Sequence, residues 1–461
     1  MKLEESKLEG FDKKFAEETI KALQELIRIN TTNPPGNEVK AAEWIHDYLT
    51  KEGIESVVVE SEKGRGSVIS RFIKGNDNNS PSLLLLAHLD VVPSQDLDKW
   101  DVPPFSGEFK DNFIWGRGAL DCKGTVISQM MTYIKLHRDG FKPKGEIYFA
   151  ATADEESGGH KGPGWLLKNK PDLIKADHVI TEGGGQLLPF PSPHPNFIIQ
   201  VAEKGVFWTK MKVNGEAGHG SMPGNKNNMA IMKMTKIINK ILKRKPKIIM
   251  QDLYKEAVNA MELKGYYKFF LKSKLLFNFA MYFAQKMLNE DVGKALRPLV
   301  QNTITPTVIQ AGNKVNNIPG TCISNLDVRF LPGYDRTHLE KTLKKCLGRK
   351  LYNEIEFEPI IDQPGGYTPT ETQFYQQIYQ VMQKMEPGSV LVPFISAGST
   401  DMAHIRKPNY GMKAYGFVPM KIDEGLSISE IMEMAHGYNE RISYGNLMFA
   451  TKFHYELCLM N

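Results

Sequence analysis

Phe149-Ala150-Ala151-Thr152-Ala153-Asp154-Glu155-Glu156-Ser157-Gly158-Gly159 carries an apolar run straight into three consecutive carboxylates. A second apolar run, Leu83 to Leu86, ends in His88-Leu89-Asp90, and Gly116-Arg117-Gly118-Ala119-Leu120-Asp121 lies between the two. A buried strand has no packing reason to finish in ionised groups unless they are paired or bind cations. Acidic and imidazole groups at strand ends are the donor set of a metal hydrolase.

Outward from these runs, helical spacing covers Phe11 to Ile29 and Glu38 to Glu52, with the loop signal Thr31-Thr32-Asn33-Pro34-Pro35-Gly36 between them. Ser56–Glu60, Ser67–Ile73, Leu83–His88, Glu146–Ala153 and His178–Thr181 read as strands, and Thr125–Arg138 as a helix. Alternating strands and helices predict an α/β sheet with buried parallel strands, whose ligands sit beyond the carboxyl ends. The pattern changes near Gly205. Strands at Val206–Val213, Thr303–Gln310, Ser324–Phe330 and Glu354–Pro359, with helices at Asn228–Lys243 and His338–Leu347, give the order β-α-β-β-α-β of a ferredoxin-like α+β unit. The expected organisation is a sheet domain over 1–204 and 361–461, with a second domain inserted at 205–360. That insertion contains an extra helical segment at about 252–300, rich in Tyr, Phe, Lys and Met. The sheet domain is expected to end in one long helix, Ile428 to Leu457.

The bulk properties narrow the class. A chain of 461 residues calls for more than one core. Its 41% hydrophobic and 24% charged content is that of a soluble enzyme, and a net charge of +5 does not suggest nucleic-acid binding. Cys122, Cys322, Cys346 and Cys458 are scattered without a disulfide or CxxC spacing, which favours a reducing, cytoplasmic setting. The charged start, Met1 to Lys7, argues against a signal peptide, and no apolar run is long enough for a transmembrane helix.

Read singly, each candidate has an ordinary alternative. His88 and Asp90 share one face of a strand end, where a metal ligand and the acceptor that orients its ring would lie, or merely a capped strand. Asp121 could bridge two cations or cap the helix that follows. Adjacent carboxylates such as Glu155 and Glu156 repel unless a cation or proton intervenes; one could ligate while the other acts as base. Glu182, before Gly183-Gly184-Gly185, is another acid at a strand end. His219 reads as a turn residue and His436 as a helix-face histidine.

Together they match a pattern. Leu86 to Pro93, Trp100 to Gly107, Trp115 to Gly124, Ala153 to Gly158, Thr181 to Gly183, Gly218 to Pro223, Val315 to Pro319 and the His436 block occur in order over nearly the whole chain. In them the sequence resembles the co-catalytic zinc family of aminoacylase, acetylornithine deacetylase, succinyl-diaminopimelate desuccinylase and glutamate carboxypeptidase. The resemblance implies a zinc-peptidase-like sheet domain with helices on both faces, plus an inserted lid and dimerisation domain. It implies two Zn²⁺ ions, with Co²⁺ or Mn²⁺ as substitutes: Asp121 bridging, His88 and Glu182 completing one site, Glu156 and His436 the other. Glu155 would be the general base and Asp90 the residue that orients His88. His219 would stabilise the oxyanion in the partner's site of a homodimer, and Asn316 and Arg329 would bind substrate. A cis peptide at Asp121-Cys122 is implied too, and Cys122 itself departs from the family pattern.

The expected activity is hydrolysis of an amide next to a free carboxylate, on a small N-acyl amino acid or short peptide. The resemblance implies a deacylase or carboxypeptidase rather than a dipeptidase, because family members with Glu at the place of Glu182 tend to be of that kind. A metal-binding but inactive binding protein is the alternative from another class, and the intact Glu155 argues against it.

Overall fold

A computed structural model describes residues 11–188, 192–287 and 297–461. An eight-stranded mixed sheet forms its larger part, in the order Val57–Glu60, Gly66–Ile73, Ile147–Thr152, Leu83–His88, His178–Thr181, Lys413–Gly416, Asn196–Glu203, Val390–Ser396. Leu83–His88 runs parallel to both its neighbours, and Lys413–Gly416 runs parallel to His178–Thr181. The first two strands and the Lys413–Gly416/Asn196–Glu203 junction are antiparallel, so the expected parallel core has mixed flanks.

The three central strands are buried at every position, because helices cover both faces. Leu83, Leu85, Ala87, Phe149, Ala151 and Ile180 enter one core with helices Lys13–Arg28, Glu38–Lys51, Lys123–Arg138 and Tyr444–Leu459. Leu84, Leu86, Tyr148, Ala150 and Val179 enter another with Leu166, Leu167, Met402 and Ile405. The period-two alternation along each strand divides the two cores. Asp12 starts the first helix by accepting from the Phe15 amide at 2.7 Å. The buried ammonium of Lys123 closes its other end, donating to the Leu26 and Ile29 carbonyls at 3.1 and 2.7 Å.

A second sheet has the order Thr303–Ala311, Thr321–Phe330, Gly205–Asn214, Ile355–Gln363, all antiparallel. Helices Ala230–Lys243 and Arg336–Leu347 pack on it around Met211, Val213, Leu326, Met234, Ile237 and Leu343. Only Lys204 separates strand Asn196–Glu203 from strand Gly205–Asn214. Its buried ammonium donates to the carbonyls of Pro298 and Gln301. Gly205 lies so close to Gly365 that a side chain on either would strike the other's backbone. Gly205, Thr303, Phe330 and Gln363 all lie at this end of the second sheet.

The segment after Lys243 forms helices Asp252–Ala260, Gly265–Lys272 and Phe277–Met287. Its buried residues Tyr254, Val258, Phe277 and Met281 join the core of the large sheet, not that of the small one. The expected single helix Ile428 to Leu457 is two: Ile428–Met434 and Tyr444–Leu459, with strand Arg441–Ser443 between them. His436 and Asn439 have left-handed φ of 64° and 59°, and Gly437 lies between them. This breaks the helix.

Candidate metal centre

Two imidazoles meet one carboxylate at the carboxyl ends of the central strands. Asp121 presents Oδ1 to His88 Nε2 at 3.0 Å and Oδ2 to His436 Nε2 at 3.1 Å. His436 Nε2 is also 3.2 Å from Glu156 Oε2, and His88 Nε2 is 3.7 Å from Glu182 Oε2 and 3.9 Å from Glu155 Oε2. His88, Asp121, Cys122 and Glu182 form one group with donor atoms within 4.8 Å of one another; Asp121, Glu156 and His436 form another, sharing Asp121. All five expected ligands are thus brought together, with Glu155 beside them.

Local structure explains the placement. His88 ends its strand, and its Nδ1–H donates to the Asp90 carbonyl oxygen at 3.0 Å, which turns Nε2 toward the carboxylates. The Asp90 carboxylate stands farther off, at 3.5 Å, and is occupied otherwise. It accepts from the amides of Glu155 and Glu156, both at 3.0 Å, and from Asn33 Nδ2 at 2.7 Å. The ring is thus held from Asp90, by its carbonyl with its carboxylate close behind, and the carboxylate also fixes the turn that aims the two glutamates. Asp154, with φ 77°, is a structural member of the acidic triplet: it pairs with Arg65 and accepts from the Lys161 amide at 2.7 Å. Beyond Glu182, Gly183 has φ 98°, and a side chain there would collide with Gln200.

Asp121 is not a helix cap. The helix begins at Lys123, and Asp121 lies before the Asp121-Cys122 peptide, which is cis. Glu440 shapes this loop. Fully buried, it accepts from Gly118 N, Leu120 N, Asp121 N and Arg117 Nη1 at 2.6–3.0 Å. His436 sits four residues before it, outside any helix. Burial holds Cys122 as a neutral thiol, raised far above its usual range, with Sγ on the main chain of His88.

The electrostatics fit a cation pair. Burial, the largest influence, raises Glu155 well above the ordinary carboxyl range; His88 opposes it, and Glu182, Asp401 and Glu156 add to it. Burial also raises Glu156, whose Oε1 is buried without a hydrogen-bond partner among the described residues. Hydrogen bonds to Asp121 and Glu156 push His436 up to about 10. Four carboxylates converging on two imidazole nitrogens is an arrangement that positive charge must neutralise. The donors, two histidines and three or four carboxylates with one shared, suit zinc.

Two participants were not singled out in the sequence. Glu440 lies inside the His436 block, where its proximity was the available signal. Asp401 has no motif of its own; it is buried, accepts from Thr152 Oγ1 at 3.2 Å and leaves Oδ1 unpartnered among the described residues. His219, Asn316 and Arg329 lie on the second sheet and its loops. His219 is exposed and hydrogen-bonded to Ser221 Oγ at 2.8 Å, the adjacent Gly220 amide donates to the Asn316 carbonyl, and Arg329 is held by Asp327 at 2.7 and 3.1 Å. Among the described residues, no hydrogen bond or ion pair joins these three to the cluster.

A mixed α/β sheet with flanking helices and a shared-carboxylate cluster at its strand ends defines a dinuclear metal-dependent amidohydrolase. Residues 84–460 match the model of peptidase family M20/M25/M40, and the chain belongs to that family. It is 29% identical over 83% of its length, and 72% of the relative's, to a probable carboxypeptidase S-like 2 of Dictyostelium discoideum. It is 26% identical over 98% of its length, and 88% of the relative's, to an N-fatty-acyl-amino acid synthase/hydrolase of Xenopus tropicalis. Among solved structures, an M20 family metallo-carboxypeptidase from Sulfolobus solfataricus superposes with a TM-score of 0.70 at 21% identity, over 96% of this chain and 98% of that one. A dinuclear metal-binding peptidase of the same family from Bacillus subtilis gives 0.60 at 15% identity, over 97% and 99%.

Proposed function

We propose that this amidohydrolase releases a free amino acid from an N-acyl amino acid, in the manner of a deacylase or carboxypeptidase. The observation that carries the reading is Asp121, whose two oxygens each face a different histidine in a nest of further carboxylates. In it His88 and Glu182 hold one cation, Glu156 and His436 the other, and Asp121 both. The bound cations supply Lewis acidity toward water and the scissile carbonyl. Glu155 takes a proton from the attacking water and returns it to the leaving amine. Asp90 keeps Glu155 and Glu156 aimed. Asn316 and Arg329 bind substrate, and Arg329 is the clamp for its carboxylate, by its planar guanidinium once released from Asp327. The curated relatives, a carboxypeptidase-like protein and N-fatty-acyl-amino acid hydrolases, support this substrate class.

The small sheet, 205–360, serves in this reading as a ferredoxin-like lid and homodimerisation domain between catalytic segments 1–204 and 361–461. Its edge strand Thr303–Ala311 supports that role: it pairs on one side only and exposes Val308 and Ile309. Through the dimer, His219 stabilises the oxyanion in the partner's site. Four free cysteines support a cytoplasmic setting, and no described helix is long and apolar enough to cross a membrane.

The test pairs metal analysis with amine release. Purified protein is expected to hold two zinc ions, and Asp121→Ala fewer than two after gel filtration; full occupancy in the variant would remove the shared ligand. N-acetyl, N-succinyl and long-chain N-acyl amino acids are then screened beside dipeptides with ninhydrin. Turnover of dipeptides alone would replace the deacylase reading by a dipeptidase.

A further inference from the structure

Helices Gly265–Lys272 and Phe277–Met287 form a hairpin that is apolar on both its sides. Inward, Phe277 and Met281 are fully buried, with Tyr254 set edge-on to Phe277 at 6.2 Å, so the hairpin is seated on the large core. Outward, Tyr266, Tyr267 and Phe269 are 44–64% exposed and Leu275, in the connecting turn, 91%. Helix Gly265–Lys272 buries none of its residues. Around these side chains stand Lys264, Lys268, Lys272 and Lys274, and from 263 to 289 the sequence has no Asp or Glu. The Lys268 and Lys272 ammoniums donate to the neutral acceptors Asn259 O and Asn259 Oδ1, at 2.8 and 2.7 Å, and of the two only Lys268 feels a nearby acid, Glu262, among the described residues. The acid just outside, Glu262, is taken by His194 at 2.9 Å.

We propose that this hairpin docks the protein on an anionic phospholipid bilayer. The chemistry is that of an interfacial element: aromatic and leucine side chains that enter the headgroup region, tyrosine hydroxyls that remain hydrated, and lysines that meet acidic headgroups. A surface mode is required, since no described helix can span a membrane. Charge decides against a second copy of the chain, because a twofold contact would bring the same lysines face to face.

The test uses the full-length, zinc-loaded protein and sedimentation with phosphatidylcholine vesicles, with and without phosphatidylserine. Binding is expected only with phosphatidylserine and to weaken with salt. Lys264→Gln/Lys274→Gln is expected to lower affinity at least about tenfold, each lysine near an anionic surface contributing its part. Phe269→Ser/Leu275→Ser should lower it at every salt concentration, with Tyr266→Ser/Tyr267→Ser as a second apolar variant should the first not fold. Hydrolysis of a water-soluble short-chain substrate should stay at the wild-type rate in each. The proposal is overturned if wild-type protein sediments with neither vesicle, or if binding survives both the charge and the apolar variants. Self-association abolished by the apolar variants, without vesicle binding, would assign the face to a second copy; binding to an acidic polypeptide but not to phosphatidylserine would assign it to a protein.

Discussion

Glu155 and Glu156 are neighbours in sequence but differ in surroundings, and the difference divides their work. Glu156 is within 3.2 Å of His436 and groups with Asp121 and His436, whereas Glu155 stands 3.9 Å from His88 and groups with His88 and Glu156, away from Asp121 and His436. Glu155→Gln is therefore expected to retain two zinc ions and lose at least about 10²-fold in kcat, as removal of a general base does; metal content and kinetics on one sample decide it. His88, Glu156 and Glu182 drew attention because strand ends in His and carboxylate are chemically costly without a cation, whereas Asp121 and His436, on loops, were assigned as ligands only by the family resemblance. The detailed use of Asp90 was not legible, since whether its carbonyl or its carboxylate meets the imidazole depends on a fraction of an ångström of backbone. The third acid of the quoted run, Asp154, is likewise spoken for by Arg65, a partner 89 residues away that spacing cannot reveal.

The element that most depends on one side chain is the loop Gly116–Asp121, gathered on Glu440. Glu440→Ala leaves the amides of Gly118, Leu120 and Asp121 without this acceptor and strips the buried Arg117 guanidinium of its carboxylate, leaving it the Gly437 carbonyl. The expected cost is about 3–5 kcal/mol, as for breaking a buried ion pair from one side, seen as an earlier denaturation midpoint together with weakened zinc retention. A variant with wild-type stability and zinc content would show that the loop holds its shape without Glu440.

A second element carries a pH signature. Glu203, at the end of strand Asn196–Glu203, is raised to about 7, chiefly by burial, against the pull of Arg406 and the hydrogen bonds of Thr400. Its unfolded value is lower, so the folded state binds the extra proton and stability falls as pH rises from the unfolded value through about 7. The loss is complete above that range and amounts to roughly 3–4 kcal/mol at most. Glu203→Gln should lack this slope between pH 5 and 8 in paired melts, and an identical slope in both proteins would exclude Glu203 as its source.

Strand Val390–Ser396 escaped the sequence reading because Pro393 speaks against a strand. As the last strand of the sheet order it pairs on one side only, where a missing amide is tolerated. The double helix at the C-terminal end escaped it because the spacing on both sides of His436 is helical, and only the left-handed turn between shows the break.

At the scale of the molecule, the start of a second sheet was readable from the change of pattern near Gly205, but the attachment of helices 252–287 was not. Their amphipathic spacing says that one face is buried, not which core receives it. The proposed shared site makes its own prediction here. Subunit exchange between His219→Ala and Glu155→Gln proteins, each nearly inactive, should restore activity, because one site of the mixed dimer keeps both residues. Demonstrated heterodimers that stay inactive would return His219 to its own chain or to no role.

The second sheet is joined to the first at one end only of its strands, where Gly205, Thr303, Phe330 and Gln363 lie in register. His219 and Asn316 belong to the loops beyond the opposite end, past Asn214 and Ala311. Ten residues of strand Gly205–Asn214 separate the two ends, roughly 30 Å at the usual rise. Were the sheet to turn as a unit about Lys204, it would act as a lever with His219 at its far tip. A turn of about 10° there would carry the tip roughly 5 Å over that length, more than the span of a hydrogen bond, so a slight adjustment beside Glu203 would suffice to engage or withdraw the oxyanion donor proposed at His219.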